Sequence, residues 1–247
     1  MLNKTLIILL AFCSGLGYFV LELGYAVLGG LFVVTIFTRF SQRWRNVGKF
    51  AEMLLVYCGL STLMNELGIA YPYSLVLILT GLMALIFYEG PEWSALYFGF
   101  GKTPSYFKMS LGAGIAMGAL FGVWLYTDAA AIRNPVPAGW PLDVLVLMAV
   151  GFAFYIAIME EIIFRSFLLE RATAAAGKDA AIISQAMFYG MIFYRIPVSG
   201  SVAGVVVGTV LGLLMGWLVR KTDSIYLAVF VHFVVALIVF VELALLG

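Results

Sequence analysis

The sequence predicts an all-α protein, a polytopic bundle of eight or nine transmembrane helices. Of its 247 residues, 64% are hydrophobic, and mean hydropathy is +1.09. Charged residues make up 11%, where an ordinary soluble domain carries roughly 25%. The apolar residues also fall into long runs of about the 20 residues that cross a bilayer. A soluble core could not absorb that much apolar surface, whereas lipid solvates the outer faces of a bundle. A net charge of +1 with no free basic face gives no nucleic-acid footprint. The expected surroundings are lipid.

Breaks at charges, prolines and glycines define the elements. Residues 5–37 are apolar except Glu22 and are too long for one upright span. They read as two short helices hinged near Glu22-Leu23-Gly24, or as one tilted helix. The following spans are expected at 50–70, 72–88, 109–126, 142–165, 180–196, 201–219 and 225–246. Residues 1–108 then hold N-terminal helices and an interfacial segment, and 109–247 hold the core helices of one continuous membrane domain. The interfacial segment is 89–108, with Pro91 and Trp93; the 127–141 loop, with three prolines, reads as an outer cap or lid. No small-x-small site closes the first apolar run, so a removable signal peptide is not expected. Cys13 and Cys58 lie in apolar runs and read as small core residues, not a disulfide framework.

Orientation follows from basic residues in short loops. With Arg39, Arg43, Arg45 and Lys49 in the cytoplasm, Lys102, Lys108, Arg165, Arg171, Lys178, Arg220 and Lys221 fall on the same side. Arg133 and Arg195 fall opposite, giving eleven against two, with Lys4 undecided. The compact chain carries no sorting signal, so a bacterial or archaeal cytoplasmic membrane is expected. Gly204, Gly208, Gly212 and Gly216 recur every four residues, as do Gly114, Gly118 and Gly122. Such spacing keeps to one helix face and lets backbones approach. Leu211 is expected to face lipid or a tolerant contact.

Ionisable groups inside apolar spans are costly and become candidates for function. Glu52, Glu66 and Glu242 lie near span ends, and Glu22 at the hinge, where structural or interfacial roles suffice. The run Glu160-Glu161-Ile-Ile-Phe-Arg165 differs. Arg165 is four residues beyond Glu161, so the two share a face and can pair. Glu160 points about 100° away and has no local partner. A carboxylate so placed can accept a proton. His232, the single histidine, lies in the last span. No metal or cofactor is expected, because there is no His-Glu-x-x-His, no second histidine and no cysteine near it.

From about Met109 to Leu246, these pieces resemble the CAAX protease and bacteriocin-processing (CPBP) intramembrane proteases. Glu160-Glu161-Ile-Ile-Phe-Arg165 matches that family's Glu-Glu-x-x-x-Arg motif. The 212–225 stretch followed by His232 is similar to its last core helices. The resemblance implies glutamate-based peptide hydrolysis, with a membrane-associated protein or peptide as the substrate. Glu160 would polarise a water, Glu161 and Arg165 would hold the charge balance, and His232 would help stabilise the oxyanion. Two positions depart from the pattern. Phe188 fits the second motif, Phe-x-x-x-His, but Ile192 stands where the histidine belongs. In the third motif, His-x-x-x-Asn, His232 is followed by Ala236. Tyr189, Tyr194 and Arg195 are the nearby groups that could substitute. The alternative to an intramembrane endopeptidase is therefore a catalytically inactive member acting as a membrane scaffold, assembly or immunity factor.

Overall fold

The computed structural model describes residues 2–69, 71–90, 93–127, 139–195 and 201–246. Most of the expected 127–141 cap, including Arg133, lies outside them, as do Pro91 and the end of the 180–196 span. The described residues are helical, with no strand among them. Helix α1 (Leu2–Gly15) continues as a π turn (Leu16–Val20). Then follow α2 (Gly24–Arg39), α3 (Arg45–Glu66), α4 (Ser74–Glu89) and α5 (Thr103–Thr127). Helix α6 (Leu142–Glu161) runs through a π segment (Ile162–Leu168) into α7 (Leu169–Ala176). The chain closes with α8 (Lys178–Ile192), α9 (Val202–Thr222) and α10 (Tyr226–Leu246).

The expected hinge is present. The first apolar run breaks between Val20 and Gly24, and Glu22 adopts a left-handed φ of 58°. Among the described residues, six helical stretches are long and apolar enough to cross a membrane: 2–20, 42–66, 103–127, 142–176, 202–222 and 226–245. That is fewer than the eight or nine expected. Gly24–Arg39 and Ser74–Glu89 are apolar but only 16 residues each. Helix α8 has 15 residues, about 22 Å against a hydrocarbon core of roughly 30 Å. The expected 142–165 span extends to Ala176, because the π segment absorbs the register change without ending the helix.

Basic connections gather at one end of the bundle. Lys49 and Arg171 both pair with Glu89, at 3.4 and 2.6 Å. Asn3 and Asn46 donate to the carbonyls of Ala175 and Ala174, and Arg220 pairs with Asp179. Asn3 brings the neighbourhood of Lys4 to this end. The 93–102 segment closes the same end, with Lys102 N–H donating to Thr222 O and Ile225 N–H to Tyr97 O. A Cβ at Gly101 would collide with the Thr222 carbonyl. Arg195 marks the other end, held by Glu22 and the Phe19 carbonyl.

Helix α8 packs against α9, α1 and α7, while α10 packs against α5 and α6. Both glycine rows lie in these contacts. A Cβ at Gly212 would stand 2.9 Å from Ala186 Cα, and one at Gly114 would stand 3.1 Å from Val234 Cβ. Two expectations fail on burial. Leu211 is 1% exposed, because it shares the packed face of α9 with Val207 and Met215. Cys13 is exposed while Cys58 is buried, and both are free. Gly212→Leu is expected to destabilise the protein by about 1–3 kcal/mol through overpacking. Leu213→Ala, at a lipid-side position 38% exposed, should change little. Equal thermal unfolding temperatures in detergent for the two variants would contradict close packing of α8 on α9.

Candidate active site

Glu160 and Glu161 end α6, and the π segment begins at the next residue. Such widened turns occur often at functional sites. Here it carries Arg165 inward, and Glu161 and Arg165 are both fully buried. Arg165 Nη1 lies 3.2 Å from Glu161 Oε1, so the i,i+4 pair read from the sequence forms. The guanidinium carbon also sits 4.2 Å from the centre of the Tyr189 ring and 5.7 Å from that of Phe164. Aromatic faces and one carboxylate thus compensate a charge that lipid would not tolerate.

Helix α10 brings His232 to the same place, 6% exposed. Its Nδ1 is 2.9 Å from Glu161 Oε1, and its Nε2 is 3.7 Å from Glu160 Oε2. A carboxylate opposite a permanently charged guanidinium is an acceptor, so Nδ1–H donates to Glu161. That leaves Nε2 turned toward Glu160. The four sequence-predicted residues, Glu160, Glu161, Arg165 and His232, are therefore brought together.

Glu160, 3% exposed, is not without a partner, as its helical position alone suggested. The Tyr71 hydroxyl donates to its Oε1 at 2.7 Å. Tyr71 lies in the α3–α4 connection, and the next residue is fixed by a Tyr155 O–H bond to the Pro72 carbonyl at 3.0 Å. Sequence spacing gave no hint of this contact across 89 residues. Glu160 lies 11 residues before Arg171, about 16 Å along the helix, which sets it well inside the apolar depth.

The remaining candidates lie elsewhere. Glu52 pairs with Arg39, Glu66 accepts from Tyr25, and Glu22 pairs with Arg195. Glu242 packs against Gly122 of α5. Arg195 is thereby committed to the end of the bundle. Tyr189 is at the site, fully buried, with its ring edge-on to His232 at 6.4 Å between centroids. Ile192 and Ala236 are buried apolar residues.

Residues 141–238 match the family model described as type II CAAX prenyl endopeptidase Rce1-like. The match spans all four site residues contributed by α6, the π segment and α10. The match supports assignment to the CPBP family. No curated protein and no solved structure matches it. Among the site residues, the Glu161–Arg165 pair is the element whose loss leaves an uncompensated buried charge. Glu161→Gln and Arg165→Leu are each expected to cost about 3–5 kcal/mol. Glu160→Gln keeps an acceptor for Tyr71 and should unfold within a few degrees of the wild type. Similar melting temperatures for all three variants would contradict this division.

Proposed function

We propose that the protein is a CPBP-type intramembrane endopeptidase that hydrolyses a peptide bond of a membrane-associated protein or peptide. The observation that carries this reading is the disposition of Glu160. One of its oxygens is held by Tyr71, and the other faces His232 Nε2 across 3.7 Å. A water seated against Oε2 and Nε2 has both O–H bonds met by acceptors and a lone pair directed at a substrate carbonyl. Its oxygen attacks the carbonyl carbon while Glu160 takes one proton. That proton then passes to the leaving amine as the C–N bond breaks. Glu161 orients His232 through Nδ1, and Arg165 balances the charge of Glu161. This geometry favours the water-binding side of the site for His232, in place of the oxyanion role implied by the family pattern.

The CPBP core would occupy 109–247, with 1–108 adding Tyr71 and the wall formed by α3. The reading includes nine crossings, in which the short helices α2, α4 and α8 are interspersed among the six long stretches and the basic end faces the cytoplasm of a bacterial or archaeal cell. The substrate class comes from the family description, which names a CAAX prenyl endopeptidase. A farnesylated peptide ending in Cys-aliphatic-aliphatic-X is therefore the probe. One observation favours the alternative, a non-catalytic scaffold, assembly or immunity factor: Ile192 and Ala236 place apolar groups where the family pattern has histidine and asparagine.

The test is cleavage of the quenched, farnesylated peptide by purified protein in proteoliposomes. Wild type should cleave it, and Glu160→Gln should lose at least about 10²-fold while staying folded. Ile192→His should raise the rate. A folded Glu160→Gln protein with full activity would overturn the protease reading. An inactive wild type, with the cellular phenotype of a Glu160→Gln strain intact, would favour the scaffold.

A further inference from the structure

The proposed hydrolysis turns His232 Nε2 and Glu160 toward the water, which leaves the developing oxyanion in need of another donor. We infer that the Tyr189 hydroxyl supplies it. This inference rests on the protease reading and adds a catalytic residue to it.

Tyr189 is fully buried, and its hydroxyl makes no hydrogen bond of ordinary geometry among the described residues, although it lies within reach of the Glu160 carboxylate. Buried polar groups are nearly always well paired, so a phenol left without a bond of good geometry beside the proposed base asks for a function. It stands beside Glu160, Glu161 and Arg165, the groups around which the reaction is proposed. The ring cannot swing away. Phe164 and Phe193 meet it edge-on, with centroids at 4.9 and 5.3 Å, and the Arg165 guanidinium covers one face at 4.2 Å. Gly212 on α9 leaves the space the ring fills, since a Cβ there would stand 3.3 Å from Tyr189 Cδ1.

This is the arrangement an oxyanion donor needs. The O–H is fixed before substrate arrives, water is excluded, and a cation lies close by, so charge that develops at the carbonyl meets a prepared dipole. Packing alone does not call for the hydroxyl, because phenylalanine would fill the same space. The other two nearby polar groups are less well placed: Arg195 is committed to Glu22, and Tyr194 lies beyond the end of α8. In the proposed step the phenol keeps its proton. It donates a hydrogen bond to the oxygen of the tetrahedral intermediate and releases it when the C–N bond breaks.

The experiment compares Tyr189→Phe with wild type on the farnesylated peptide in proteoliposomes, with Glu160→Gln measured in parallel. Tyr189→Phe is expected to lower kcat about 10²-fold or more, the usual effect of removing one oxyanion donor. KM should stay within about threefold, because the hydrogen bond forms only as charge develops. The pH profile of kcat/KM should keep its shape, and thermal stability in detergent should not fall. Full activity of Tyr189→Phe beside a dead Glu160→Gln would overturn the inference and leave the protease reading standing. A displaced pH profile would also overturn it, since the phenol would then be acting on Glu160. An active Glu160→Gln, or a wild type that leaves the peptide intact, would overturn the protease reading and this inference with it.

Discussion

The bundle is organised around one constraint, a guanidinium held without water. Arg165 is fully buried in a chain whose surroundings are lipid, and it forms an ion pair but no hydrogen bond of ordinary geometry among the described residues. Its charge is compensated by Glu161 on the preceding turn and by the faces of Tyr189 and Phe164. These rings continue into a larger cluster. Phe164 meets Tyr57, Tyr57 meets Phe188, and Phe188 meets Phe19. The pair is thereby joined, ring to ring, to α3, α8 and the π turn that follows α1. Breaking such a pair costs more than the pair contributes, because the remaining charge has nowhere to go.

In the proposed reaction the same constraint sets the roles of the two glutamates. Glu161 is occupied by Arg165, so its Oε1 serves His232 Nδ1 as a fixed acceptor. This second contact decides which imidazole nitrogen turns toward Glu160, much as a buried carboxylate orients the histidine of a catalytic triad. Two adjacent glutamates thus take different parts through environment alone. One is neutralised by a cation. The other has a phenol on one oxygen and an imidazole facing the other.

How much of this was legible depends on the range of the interaction. The helical bundle could be read from its apolar runs, and the hinge at Glu22 from a single charge in a run too long for one span. The Glu161–Arg165 pair followed from i,i+4 spacing, and His232 stood out as the only histidine. Tyr71 could not be found this way. It reaches Glu160 through a connection whose path depends on how short α4 is, and apolar runs do not mark helix ends closely. The burial of Leu211 was missed because α9 packs on more than its glycine row. The span count could not be read closely from apolar stretches such as 180–196, because the helix there, α8, ends at Ile192 and its 15 residues are fewer than an upright crossing takes.

The central claim is that Glu161 orients His232 so that Nε2 serves Glu160, and the single histidine in the chain allows a direct test. Tag-free protein labelled with 15N only at histidine gives one imidazole spectrum in nanodiscs. The account predicts a proton on Nδ1, hydrogen-bonded in the wild type, with the signal strongly shifted in Glu161→Gln. A wild-type spectrum with a bare Nδ1 and the proton on Nε2, unchanged in Glu161→Gln, would contradict it.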